Sequence, residues 1–143
     1  MKDLPKDLDY SKWHIFFANE RIGENKCYEG ALKSFAADCK IPLNQIHGVG
    51  AGSAADVASK YEQLLKSDKS IDNSGPIPSV DMILLGTGDD GHCGSLYPNS
   101  AEIKETGKGR SVLGINDKQS IAVSMDLMNA AKRAIVSAAA AVR

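Results

Sequence analysis

The chain has 143 residues, of which 43% are hydrophobic and 24% charged, and its formal net charge is −1 at pH 7. This length and composition predict one globular domain over residues 1–143. The near-zero charge gives no basis for binding nucleic acid or an anionic membrane. No apolar run approaches the ~20 residues that cross a bilayer. The charged, proline-containing start does not predict a signal peptide, and the three cysteines lack CxxC spacing, so we expect reduced thiols and a cytoplasmic location.

The first half of the chain predicts two strands and two helices. A compact aromatic and β-branched run predicts a buried strand at 13–18, which ends in a charged turn at 19–21. Helical spacing of apolar residues predicts a helix at about 26–39. A short strand at 45–49 and a helix at 53–66 follow, the latter capped by its first serine.

The second half begins with a polar loop at 67–79, and a strand follows at 80–85. Two further strands are predicted at 111–115 and 120–125, and the alanine-rich tail at 126–143 favours a helix by propensity. Strands that alternate with helices indicate parallel pairing through helical crossovers. The predicted fold class is therefore α/β, with an open, mainly parallel sheet and helices on both faces.

Residues 81–98, DMILLGTGDDGHCGSLYP, are the most informative segment of the chain. Its apolar run stops at Gly86, and a glycine-rich, polar loop follows that holds Gly88, Asp90, Gly91 and His92. Ligands bind at the carboxyl ends of strands in open α/β sheets. Glycines allow a close approach of the backbone, and histidine exchanges a proton near neutral pH. The segment therefore predicts a ligand site.

Three segments together resemble the 6-phosphogluconolactonase family. They are FFANERI at 16–22, the loop segment at 81–98, and SIAVSMDLMNAAKRAIV at 120–136. Their order and spacing also match, so the resemblance spans most of residues 10–136. It implies hydrolysis of 6-phospho-D-glucono-1,5-lactone to 6-phospho-D-gluconate in the oxidative pentose phosphate pathway, with a sugar-phosphate lactone as the small-molecule partner.

Glucosamine-6-phosphate isomerase/deaminase shares this fold and the Asp-Gly-His loop, so it is the first alternative. That relative carries a glutamate five residues after the histidine, where this chain has Tyr97. It also carries a tyrosine at the position of Arg21, near the first strand. Both differences favour the lactonase. A non-catalytic sugar-phosphate binder is the second alternative. The oligomeric state cannot be read from the sequence.

The resemblance and the chemistry together assign roles to the loop. His92 is the candidate general base that activates water. Asp90 would hold one imidazole nitrogen and stabilise the imidazolium. The backbone amides of Gly86, Gly88 and Gly91 would bind substrate as hydrogen-bond donors. Arg21 would bind an anionic oxygen. We expect no cofactor and no metal, because a lactone is already an activated ester.

Other polar residues receive structural interpretations. Glu20 is expected to hold a nearby backbone group or arginine, and Cys93 is expected to pack. Ser95 is expected to cap a helix after the loop, with contact to the substrate as the alternative. No role is assigned to His14 or His47. A zinc site built from His92 and the scattered cysteines has no ligand spacing to support it.

The chain also departs from the family pattern. Family members begin with further strand–helix units that carry a phosphate-binding loop, and they continue beyond Arg143, so we expect this chain to lack both portions. Asn19 replaces the aspartate of the family's Asp-Glu-Arg sequence. Residues 134–138 pose a conflict, because the resemblance predicts a strand there whereas the alanine content favours a helix.

Overall fold

The computed structural model describes residue 5 and residues 7–138. Its helices are α1 (Lys26–Ala31), which continues into a π-helical segment (Leu32–Ala36), α2 (Ala54–Ser67) and α3 (Met125–Ala130). Short 3₁₀ turns lie at Tyr10–Lys12, Leu43–Gln45 and Ile103–Glu105. The strands are β1 (Ile15–Phe16), β2 (Asn19–Arg21), β3 (Ile46–His47), β4 (Ile83–Thr87), β5 (Val112–Ile115), β6 (Ser120–Val123) and β7 (Ala134–Ala138).

The strands form three small sheets within the described residues. β1 pairs with β3 and β4 pairs with β7, both in parallel, and the third sheet has the antiparallel order β2-β6-β5. The predicted α/β class is confirmed, with parallel pairs among its sheets. β5 and β6 are antiparallel because the turn at 116–119 is too short for the crossover that a parallel pair requires.

The charged turn predicted at 19–21 is wrong, since these residues form strand β2. They pair with β6 through Asn19 opposite Ala122 and Arg21 opposite Ser120. Polar residues form this strand because Glu20 turns inward, where only 2% of its surface is exposed. Alternation along the strand places Asn19 and Arg21 together on the opposite face.

Helix α2 begins as the sequence predicts. The Ser53 hydroxyl accepts a hydrogen bond from the backbone N–H of Asp56 at 3.2 Å, which is the N-cap arrangement. The buried stripe of α2 includes Val57, Tyr61 and Leu65. The N-terminal end of α2 packs closely on β5, and this contact fixes the helix over the antiparallel sheet.

The conflict over the C-terminal segment is resolved in favour of the strand. The helix expected at 126–143 from alanine content ends early, since α3 stops at Ala130 and β7 follows. β7 pairs with β4 over its whole length, from Ile83 opposite Ala134 to Thr87 opposite Ala138. Residues 139–143, which the same prediction covered, lie outside the described residues.

Two hydrophobic clusters form the core. The larger one lies between α2, α3 and the strands β4, β5 and β6, and the smaller one gathers Tyr10, Phe17 and residues of the segment that follows α1. Tyr61 of the larger cluster accepts a hydrogen bond at 2.6 Å from the backbone N–H of Phe17 in the smaller cluster. The two clusters are therefore linked through a buried polar contact.

Among the described residues, none of the helices combines the length and the apolar character that crossing a lipid bilayer would demand.

Candidate active site

The candidate site is the loop that leaves the carboxyl end of β4. The backbone N–H of Gly88 donates to the carbonyl of His92 at 3.0 Å, and the N–H of Gly91 donates to the carbonyl of Gly88, also at 3.0 Å. Thr87 and Cys93 then pair across the base of the loop. The chain thus closes into a tight ring that carries Asp90 and His92.

Asp90 and His92 are in direct contact, as their spacing predicts. One carboxylate oxygen of Asp90 lies 2.6 Å from Nδ1 of His92 and also accepts the His92 backbone N–H at 3.1 Å. Both hydrogen bonds, the backbone one first, lower the pKa of Asp90 and keep it ionised. An ionised partner at Nδ1 favours the tautomer with hydrogen on that nitrogen, so Nε2 offers its lone pair.

The structure gives Gly88 a role that sequence reasoning missed. A Cβ at this position would lie 2.2 Å from Cε1 and 2.4 Å from Nδ1 of His92, and 3.0 Å from the Asp90 carboxylate. Any side chain there would displace the imidazole from its partner. The sequence did contain a sign of this role, which is Gly88 itself. We interpreted that glycine as a backbone donor to the substrate, whereas it leaves space for the His92 imidazole.

An open cleft of about 300 Å³ lies beside the loop. Its lining residues come from the link between β1 and β2, the start of β2, strand β4 and the loop: Ala18, Asn19, Leu84, Leu85, Gly86, Thr87, His92, Gly94 and Ser95. About 33% of the His92 side chain is exposed, so the imidazole is accessible to a ligand in the cleft. Gly86 is the predicted substrate-binding glycine that lines the cleft, whereas the amides of Gly88 and Gly91 bond within the loop.

Arg21 is not among the residues that line the cleft. Its side chain is 60% exposed and lies 3.4 Å from Glu24 in an exposed ion pair. Arg21 does share a strand face with Asn19, which lines the cleft. The exposed ion pair opposes a change of the Arg21 rotamer only weakly.

Lys118 is a cation near the site that sequence reasoning missed. Tyr97 stacks on His92 with ring centroids 4.6 Å apart, and Lys118 Nζ lies 3.3 Å from the centre of the Tyr97 ring. Lys118 belongs to the turn between β5 and β6, far along the chain from the loop. The chain order gives no sign of this proximity, because it depends on how the hairpin packs.

Three structural interpretations have clear outcomes. Glu20 is a structural residue, as predicted, since its carboxylate accepts the backbone N–H groups of Arg21, Cys27 and Tyr28 at 2.9–3.2 Å. Cys93 packs against the larger cluster, and burial raises the pKa of its thiol, as a packing role predicts. The helix-capping role predicted for Ser95 is wrong, because a turn with positive φ occupies this position and no helix begins within residues 93–102.

The fold and the site define an α/β protein with a histidine–carboxylate pair at the exit of a strand. The family model described as glucosamine-6-phosphate isomerases/6-phosphogluconolactonase matches residues 1–142, and the chain belongs to this family.

The relatives include plant proteins. The chain is 36% identical over 111 residues to probable 6-phosphogluconolactonase 4, chloroplastic, from Oryza sativa, covering 71% of this chain and 34% of that protein. It is 35% identical over 125 residues to probable 6-phosphogluconolactonase 2 from Arabidopsis thaliana, covering 77% and 47% respectively. The chain thus spans between a third and a half of these relatives.

The fold matches solved structures. The structure of 6-phosphogluconolactonase from Trypanosoma brucei superimposes with a TM-score of 0.70 at 26% identity, covering 85% of this chain and 55% of that one. The match extends over most of the chain and agrees with the family assignment.

Proposed function

We propose that the protein hydrolyses 6-phospho-D-glucono-1,5-lactone to 6-phospho-D-gluconate, a step of the oxidative pentose phosphate pathway. The observation that carries the proposal is the contact between Asp90 and Nδ1 of His92 on a ring that lines an open cleft. The names of the plant and trypanosome relatives support the same reaction.

The chemistry follows from the orientation of the pair. Nε2 of His92 takes a proton from water while the water oxygen attacks the lactone carbonyl, and Asp90 stabilises the imidazolium that forms. The ring ester bond then breaks, and the imidazolium returns its proton to the departing ring oxygen. The products are a carboxylic acid, which ionises, and a hydroxyl group on the same open chain, so that atoms and charge balance.

The anionic parts of the substrate need cations near the cleft. Arg21 can bind phosphate or carboxylate oxygens bidentately after a change of rotamer. Lys118 brings a second positive charge over the ring of Tyr97, which stacks on His92. Gly86 provides backbone within the cleft itself. We assign substrate binding to these three positions, with Lys118 as the addition that the structure makes.

The alternative isomerase/deaminase is disfavoured at Tyr97. The position where that relative carries a glutamate here holds a tyrosine stacked on the imidazole, so no carboxylate is available there. The non-catalytic sugar-phosphate binder stays a second candidate because Asn19, which lines the cleft, replaces the aspartate of the family pattern. The cytoplasmic location is likewise part of the proposal; some relatives carry chloroplastic names, and fractionation would test it.

The central experiment compares three variants in a lactone-hydrolysis assay corrected for the spontaneous rate. His92→Ala should lower kcat by about 10²-fold to 10⁴-fold, the usual contribution of a general base. Asp90→Asn should lower kcat by roughly tenfold to 100-fold, since the imidazole remains but loses its charged partner. Asp89→Asn, the adjacent exposed carboxylate, is the matched control and should retain activity.

Three outcomes would contradict the proposal in distinguishable ways. Full activity in His92→Ala would remove the base. Release of ammonia from glucosamine 6-phosphate would favour the isomerase. Calorimetric binding of 6-phosphogluconate without any turnover of the lactone would identify a binding protein.

A further inference from the structure

A second cluster of ionisable side chains lies outside the cleft. His14 directly precedes β1, His47 belongs to β3, and Asp68 follows the last residue of α2. None of the three lines the cleft beside His92. Among the described residues, this is the one group of three or more potential metal ligands whose donor atoms converge.

The donor atoms lie at the separations of a metal coordination sphere. His14 Nδ1 is 3.2 Å from His47 Nε2, and the two oxygens of Asp68 lie 3.8 Å and 3.7 Å from these nitrogens. Tetrahedral zinc binds nitrogen and oxygen at about 2.0–2.2 Å, which places neighbouring ligand atoms about 3.4 Å apart. One metal ion could therefore bind all three residues without a large rearrangement.

The surroundings hold the ligands in place. The Phe16 ring lies flat on His47, with centroids 4.2 Å apart and an interplanar angle of 4°. Asp68 accepts hydrogen bonds from both the backbone N–H and the hydroxyl of Ser70, at 2.8 Å and 2.6 Å. These contacts orient one imidazole and the carboxylate, as supporting residues do in metal sites.

Solvent reaches the cluster mainly at His14. The side chains of His47 and Asp68 are 12% and 13% exposed and that of His14 is 30% exposed, so an ion can enter beside His14.

We propose that His14, His47 and Asp68 form a zinc site, with water as the fourth ligand. The ion would tie β1, β3 and the end of α2 together. This matters because β1 and β3 pair over only two residues each. A direct N–H···N hydrogen bond between the His14 and His47 rings is the competing explanation of their short separation. That hydrogen bond does not need Asp68, whereas metal binding needs all three residues.

The test is calorimetric titration of the intact chain with Zn²⁺, together with melting curves. We expect one equivalent to bind and Tm to rise with zinc concentration. Removal of a residue that only supports a ligand usually weakens metal binding by about tenfold to 100-fold. Loss of a ligand itself should weaken Zn²⁺ binding by at least as much, in each of the variants His14→Ala, His47→Gln and Asp68→Asn. His14 is partly exposed, and asparagine can keep the Ser70 hydrogen bonds, so His14→Ala and Asp68→Asn should fold, as circular dichroism would show.

His92→Gln is the matched control, since it removes the third histidine of the chain from outside the cluster. It should bind Zn²⁺ like the unmodified protein. Co²⁺ should give the visible spectrum of a tetrahedral nitrogen–oxygen site without the intense near-ultraviolet band of a thiolate ligand. Absence of binding, unchanged binding in His14→Ala, loss of binding in His92→Gln, or a thiolate band would each overturn the proposal.

Discussion

The Asp90–His92 contact depends on the absence of a side chain at Gly88. We predict that Gly88→Ala lowers kcat for lactone hydrolysis by roughly tenfold to 100-fold, because the new methyl group would occupy the position of the imidazole and separate it from Asp90. Tm should change little, since the atoms in conflict are the ends of side chains on a partly exposed loop. The measurement is kcat and Tm on the same preparation.

Gly75→Ala is the control for that prediction. Gly75 is also a loop glycine without a positive φ, and an added Cβ would meet only the Ile77 carbonyl at 3.8 Å, an ordinary contact distance. It should keep both activity and Tm. Equal activity in Gly88→Ala and Gly75→Ala would show that the imidazole works without its carboxylate partner.

At the residue scale, short-range relations were predictable and long-range ones were not. The sequence predicts the Asp90–His92 contact because two residues across a glycine can meet in a tight turn. It does not predict that Lys118 reaches the Tyr97 ring, or that His14 meets His47 and Asp68. These contacts join segments that become neighbours only after the strands and α2 have packed.

At the element scale, strand pairing overrides local preference. The polar sequence at 19–21 favours a turn, but antiparallel pairing with β6 makes it a strand, and its inward glutamate is stabilised by three backbone donors. The alanine-rich residues of β7 favour a helix, but parallel pairing with β4 makes them a strand. Propensity is a weak prior beside the hydrogen bonds of a whole strand. The N-terminus of α2, by contrast, depends on a local cap, and the sequence predicts it correctly.

The packing of α2 on β5 requires a glycine at position 114. A Cβ there would lie 2.5 Å from the Ala54 carbonyl oxygen and 3.0 Å from the Ala55 nitrogen, and both are backbone atoms that cannot rotate away. We predict that Gly114→Ala lowers the free energy of unfolding by about 1–3 kcal/mol, the usual cost of overpacking. Urea denaturation followed by circular dichroism measures this.

The comparison for Gly114→Ala is Gly30→Ala in α1. Nothing lies within 4 Å of a Cβ at Gly30, so alanine should leave stability unchanged or raise it by up to about 1 kcal/mol through helix propensity. If both variants lost the same stability, the backbone contact between α2 and β5 would not explain the glycine.

On the scale of the whole molecule, the β4–β7 pair exposes apolar side chains. Leu84 and Ile135, which pair on one face, are each 52% exposed, and Val136 on the other face is 56% exposed. The run at 80–85 lacks polar alternation, which is typical of a strand covered on both faces. Within the described residues, helices cover only part of that surface.

The two hydrophobic clusters are joined through Tyr61, and this contact should decide whether they unfold together. Tyr61→Phe removes the acceptor of the buried Phe17 N–H, so we predict a loss of about 1–3 kcal/mol in the free energy of unfolding. Trp13, the one tryptophan of the chain, packs against the smaller cluster, whereas far-ultraviolet circular dichroism mainly reports α2. In the variant, the tryptophan fluorescence transition should precede the dichroism transition in urea.

Tyr28→Phe, which trims a half-buried tyrosine beside Phe17, is the control and should keep the two transitions coincident. Coincident transitions at an unchanged midpoint in Tyr61→Phe would mean that apolar packing alone couples the clusters.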